Sequence, residues 1–168
     1  NNGTVSIYRI KASNGTYEEH AKRGIYGGSY GNATTSENAS ITINGGVFNG
    51  ILFYAGSQVT NVKNATITIN GGVFNNAAIT DSAAAAALGK TELETCFDGT
   101  RDRVTGESVL ELNVASFGAK VQNFHIVRIL ADVTLSSELV NIDRFDIATG
   151  KQLTLNTDAQ LTGLTGGS

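Results

Sequence analysis

Two stretches of this chain are nearly the same dozen residues: ASITINGGVFNG at 39–50 and ATITINGGVFNN at 65–76, offset by 26 positions. Within each copy the apolar residues alternate with polar ones. Ile41 and Ile43 flank Thr42, and Ile67 and Ile69 flank Thr68. A period of two in a short, β-branched run predicts a strand with one buried face. Asn-Gly-Gly then predicts a bend that ends the strand, because glycine accepts positive φ. A second short strand is expected at Val47-Phe48 and Val73-Phe74, and a third at Ile51 to Ala55. Short strands, tight bends and a period in the twenties describe a repeat that buries its apolar face against its neighbours.

Stacking such units at the usual strand spacing of about 4.8 Å brings equivalent residues into ladders. Two further copies extend the alignment. Upstream, GIYGGSYGN (24–32) sets Gly27-Gly28 and Tyr30 where Gly45-Gly46 and Phe48 stand. Downstream, SVLELNVASFG (108–118) aligns Asn113 with Asn44 and Phe117 with Phe48. An aromatic stack of Tyr30, Phe48, Phe74 and Phe117 follows, with an amide ladder of Asn44, Asn70 and Asn113. The expected architecture is all-β: a single-stranded parallel β-helix, a solenoid taken as right-handed, although the Gly-Gly turns themselves fit either hand.

ITINGGVFNG and TITINGGVFNN, with the looser GIYGGSYGN, resemble the repeats of bacterial extracellular parallel β-helix proteins, which are adhesin-like or pectate-lyase-like solenoids. The resemblance covers residues 24–76 well and continues weakly through VLELNVASFG and the tail FDIATGKQLTLNTDAQLTG. It implies an extracellular or cell-surface location. It also implies a structural or adhesive role, with glycans or a host surface as partners. Enzymes on such scaffolds make a polysaccharide lyase or glycoside hydrolase the alternative.

The regular spacing breaks once. Phe74 and Phe117 stand 43 residues apart, so extra chain is expected within Asp81 to Arg103. Asp81-Ser82 are helix N-cap types, five alanines and Leu88 follow, and either Gly89 ends the helix or Lys90 to Cys96 extend it. A short Ala-rich helical insertion and a charged loop, DGTRDR, are therefore predicted. Beyond residue 119, FHIVRIL, DVTLS, ELVNI, RFDIA and QLTL read as five more short strands. No linker or change of composition divides the chain, so residues 1–168 form one domain.

Composition narrows the function. The net charge is −3, with 12 Lys+Arg and 15 Asp+Glu, and it supplies no basic patch for nucleic acid. No apolar run approaches the roughly 20 residues of a membrane span. Charged residues are only 16%, against about 25% in ordinary domains, so the polarity rests on Asn, Thr, Ser and Gly. The chain contains no Met, which suggests a segment of a larger precursor or a mature fragment. Cys96, the single cysteine, is expected to be a small buried residue, with a chain-joining thiol as the alternative.

Glycosidases need two carboxylates about 5–10 Å apart. Between Tyr26 and Ile79 the only acid is Glu37, so no catalytic residue is assigned. Asp98, Arg101, Asp102 and Arg103 form the densest charged cluster. Calcium asks for six to eight oxygens, and two aspartates interleaved with arginines fit that poorly. A solvated loop with mutual ion pairs is the expectation. No metal or cofactor is expected, since His20 and His125 lack partners at ligand spacing. His20 is read as exposed and His125 as an outward-facing strand residue. Among the aromatics, Tyr26 and Tyr54 are the candidates for a sugar platform. With Asp98, Arg101, Asp102 and Arg103 they make up the candidate ligand-binding set. Sequons at Asn2, Asn14, Asn32, Asn38 and Asn64 are little more than this composition yields by chance. Unpaired strand edges at the ends of a solenoid also invite head-to-tail self-association.

Overall fold

The structure is a computed structural model that describes residues 3–6, 24–28, 36–57, 60–157 and 159–163. Its strands form three parallel sheets. The first holds Thr4–Ser6, Ser36–Asn49, Val62–Asn75, Ser108–Leu112, Ile126–Ile129 and Arg144–Ile147 in that spatial order. The second runs Gly24–Tyr26, Leu52–Tyr54, Cys96–Asp98, Lys120–Gln122, Glu138–Val140 and Gln160–Thr162. The third is Ser116–Phe117, Val133–Leu135 and Leu153–Leu155. From Ser108 onward the chain visits the first, third and second sheets in turn and then repeats the circuit. Parallel strands in stacked sheets with this order are compatible with a β-helix or solenoid. No helix among the described residues is long and apolar enough to cross a membrane.

The alternation read from the repeat decides what is buried. Ile41, Ile67, Leu110, Val127 and Phe145 share one inward ladder, and Ile43, Ile69, Leu112, Ile129 and Ile147 share the next. Ile67, Ile69, Leu110, Leu112, Val127 and Ile129 have no exposed surface. The Asn-Gly-Gly segment bends its strand without ending it. Ser36–Asn49 and Val62–Asn75 run through it with register shifts around Asn44, and Gly46 and Gly72 carry φ of 111° and 123°. Glycine supplies a bulge here, and the strand resumes on the far side.

The amide ladder is present. Asn70 Nδ2 donates to Asn44 Oδ1 at 2.9 Å, and Asn113 Nδ2 donates to Asn70 Oδ1 at 3.1 Å. Asn64 to Asn38, Asn75 to Asn49 and Asn141 to Asn123 form further rungs at 3.0, 3.0 and 3.1 Å. Two of the sequon residues, Asn38 and Asn64, are thus ladder partners. Asn2, Asn14 and Asn32 lie outside the described residues. Asn70→Ala is expected to cost about 1 kcal/mol in urea unfolding, because both bonds are exposed and water replaces part of each.

The aromatic stack holds for Phe48, Phe74 and Phe117, with ring centroids 5.4 and 5.6 Å apart along the series. Tyr30 is outside the described residues. The upstream alignment is corrected: Gly24–Tyr26 pairs with Leu52–Tyr54, and Gly27 N–H donates to Tyr54 O. GIYGGS is therefore a copy of LFYAGS in the second sheet and not of the Asn-Gly-Gly bend. The shared Gly-Gly misled the alignment, because glycine pairs mark more than one corner of each circuit.

Between Asn75 and Cys96 the chain makes an antiparallel pair, Ala77–Ala78 with Glu92–Leu93, and between them a helix, Ser82–Leu88. Asp81 Oδ1 accepts from the N–H groups of Ala83 and Ala84 at 2.9 and 3.2 Å, and Gly89 closes the helix in the left-handed conformation. The registers Asn49 to Asn75 and Leu52 to Cys96 leave only Gly50 and Ile51 in the equivalent stretch of the circuit before. Residues 99–103, with the charged Arg101, Asp102 and Arg103, come after this stretch. They form the turn that leaves the second sheet, as Ala55 and its successors do one circuit earlier.

Candidate binding cleft

Along the second sheet Ile25, Phe53, Phe97 and Val121 occupy one row. Phe53, Phe97 and Val121 are buried, and Ile25 packs against the same core. Strand alternation turns the next row outward: Tyr26, Tyr54, Asp98 and Gln122. The one-to-one register makes Tyr26 and Tyr54 stack, with ring centroids 4.7 Å apart and planes 9° from parallel. At the next rung the shorter Asp98 replaces an aromatic ring and leaves space beside Tyr54. A cavity of about 270 Å³ lies there, lined by Tyr26, Tyr54, Ser57, Asp98, Thr100, Arg101, Asp102, Arg103 and Asn123. All six residues singled out in the sequence therefore border one cleft. Phe53 is only 1% exposed and offers no surface to a sugar.

The floor is held by hydrogen bonds. Asp98 Oδ2 accepts from Gln122 Nε2 at 2.7 Å, Oδ1 accepts from Thr100 N–H at 2.7 Å, and Asn123 Nδ2 reaches both oxygens at 3.3 Å. Thr100 sits at φ 49°, in the left-handed region, and its Oγ1 accepts from Gly56 N–H at 2.8 Å. That bond ties the turn to the circuit below. Arg101–Arg103 is a single 3-10 turn that carries Asp102 and Arg103 at the exposed rim.

The expected mutual ion pairs within this cluster are replaced by a longer reach. Arg101 pairs with Asp143, two circuits further along the stack, and both side chains are 29% exposed. Sequence spacing carries no sign of this partner, since residues 42 apart meet only once the circuits are stacked. Gln122 and Asn123 were missed for the same reason. His125 lies in the turn just before Ile126–Ile129 and not in a strand. Its ring is tied to Ser108. His20 is outside the described residues. Cys96 is buried at 6% exposure. Among the described residues no group of three or more His, Cys, Asp and Glu is placed to hold a metal ion.

A second cavity of about 470 Å³ lies near the helix-bearing stretch, lined in part by Asn76, Glu92, Glu94, Lys120 and Glu138. Lys120 Nζ lies 3.1 Å from Glu138 and 3.8 Å from Glu94. Burial pulls the Lys120 ammonium down. The hydrogen bond to Glu138 and the charges of Glu94 and Glu138 outweigh it and raise the group above its ordinary value.

Compared with family models, with curated proteins and with solved structures, the chain gives no match to any of the three.

Proposed function

We propose that this chain is a non-catalytic module of the cell surface or extracellular space. In this reading it is a right-handed single-stranded parallel β-helix with a helical insertion, and it binds glycan through the Tyr26–Tyr54 cleft. One observation carries the reading. A stacked aromatic wall and a polar, arginine-bearing turn border the same cavity, in which an apolar face meets placed hydrogen-bonding groups. The cavity suits one sugar ring with its neighbours outside. The non-catalytic part is supported by Asp98, whose two oxygens are occupied by Gln122, Asn123 and Thr100. So engaged, the carboxylate is held as part of the cleft floor.

The test is a glycan array run beside a polysaccharide-degradation assay. Tyr54→Ala is expected to weaken glycan retention tenfold or more, on the order of 1–3 kcal/mol for a lost stacking surface. Tyr26→Ala should weaken it less, because Tyr54 still forms the wall next to Asp98. Unchanged retention in both variants would remove the cleft from the reading.

The enzyme alternative has its own observation. Glu94, Lys120 and Glu138 lie on successive circuits around the second cavity, which is the placement a polysaccharide-cleaving groove requires. Release of reducing or unsaturated ends, lost in Glu138→Gln, would favour it. Head-to-tail self-association draws on Ile147, Leu155 and Leu161, exposed by 50, 44 and 42%, whereas their ladder predecessors Ile129, Leu135 and Leu139 are buried. Light scattering over a concentration series that shows only monomer would dispose of it.

A further inference from the structure

The turn that carries His125 is clasped to the circuit before it. Ser108 N–H donates to His125 Nδ1 at 3.0 Å, and Ser108 Oγ lies 2.9 Å from the same nitrogen. In return His125 N–H donates to Ser108 O at 3.1 Å and to Ser108 Oγ at 3.2 Å. Ser108 has no exposed surface. A backbone N–H can only donate, so Nδ1 must offer a lone pair, and the ring is the neutral tautomer protonated on Nε2. A proton added from solvent goes to Nδ1. It then faces the buried Ser108 N–H donor to donor, with Ser108 Oγ, 2.9 Å away, left as the acceptor.

The charged neighbours sit on both sides. Arg101 reaches from the turn one circuit below His125 to Asp143 one circuit above, and so crosses the turn that carries the imidazole. Asp143 N–H donates to Phe124 O at 3.3 Å and Arg144 N–H to His125 O at 3.2 Å, which places Asp143 and Arg144 directly above. Glu107 is paired with Arg144 at 3.0 Å. The groups facing His125 are thus Ser108 and Glu107 below, Asp143 and Arg144 above, and Arg101 crossing over.

We propose that His125 is an acid-operated clasp that governs where Arg101 stands in the cleft. When Nδ1 takes a proton, the bond that it accepts from Ser108 N–H breaks. The imidazolium then repels Arg101 and competes with it for Asp143, and the guanidinium is released toward the cavity. The regulation rests on reading the cleft as a binding site, but the clasp itself does not. Burial is the largest influence holding the His125 ring below its ordinary value of 6.5. The positive charge of Arg101 and, to a smaller extent, that of Arg144 act in the same direction, against Glu107. Since the folded value lies below the unfolded one, the clasp contributes fully above pH 6.5 and is lost as pH falls through the folded value, which lies below 6.5.

The experiment is an NMR titration of the intact chain from neutral to mildly acid pH. It follows the His125 ring, the Ser108 amide and the Arg101 Nε–Hε group. A His125 midpoint below 6.5 is expected. At that midpoint Ser108 amide protection should fall by about tenfold or more, and the Arg101 signal should move with it. His125→Gln keeps an acceptor for Ser108 and cannot titrate, so in it the Arg101 signal should hold its neutral-pH position. If Arg101 shifts unchanged in that variant, or stays still while His125 titrates in the native chain, the clasp is overturned. Failure to bind any glycan would leave all three signals as expected, and would remove the cleft's function without touching the clasp.

Discussion

Phe97→Ala should lower the free energy of unfolding by about 3–5 kcal/mol, read from the urea midpoint at unchanged slope. Phe97 is fully buried and stacks on Phe53 with centroids 4.5 Å apart and planes 3° from parallel. It also meets Phe74 edge-on at 5.0 Å and Phe117 at 5.3 Å. Five phenylalanines from two sides of the stack, Phe48, Phe53, Phe74, Phe97 and Phe117, converge there. Truncation removes a ring from their midst and leaves a cavity that rigid parallel strands close poorly. Phe97→Leu keeps most of the volume and should lose far less. A loss below about 1 kcal/mol for the alanine variant would mean that the ring does not occupy this core.

Gly99→Ala should be the second large effect, by the opposite mechanism. A Cβ at Gly99 would lie 2.2 Å from the carbonyl oxygen of Asn123 and 2.8 Å from its carbonyl carbon and from Phe124 Cα. These are backbone atoms of the next circuit and cannot swing aside. Overpacking of this kind costs about 1–3 kcal/mol or more. It also pushes apart the turns that carry Thr100 and Asn123, so glycan retention should fall with stability. Gly89→Ala is the control. Nothing lies within 4 Å of its Cβ, and only the left-handed φ of 64° opposes it, at about 1 kcal/mol. Equal losses in the two variants, by thermal or urea unfolding, would show that the circuits are not packed this closely at Gly99.

The core could be read largely from local pattern. Alternation in SITI and TITI placed Ile43, Ile67 and Ile69 inside, and the repeat offset placed Asn44 beneath Asn70. Asp81 marked the helix start, and of the two ends that the sequence allowed the structure has the nearer, Gly89, because capping is a matter of residues within one turn. The alignment of Gly27-Gly28 failed because a glycine pair reports that a bend is needed, but not which bend. Local pattern does not say that Phe53 is buried and Tyr54 is not. In a run of three apolar residues, Leu52 to Tyr54, alternation alone does not say which parity faces inward.

The candidate cleft was legible as residue types but not as a site. Sequence alone identified Tyr26, Tyr54 and the 98–103 cluster as separate groups of interest. Only the register Tyr26 to Tyr54 to Asp98, set by hydrogen bonds between circuits, joined them around one cavity. Arg101 with Asp143 and Ser108 with His125 belong to the same class of fact. Residue order by itself determined the strand period, the bends, the ladder residues and the short helix, since these depend on neighbours in the chain. Tertiary structure decided the polar partners and the cleft. Stacking brings together residues 17 to 43 positions apart, and circuits of unequal length leave no fixed interval by which the chain could announce them.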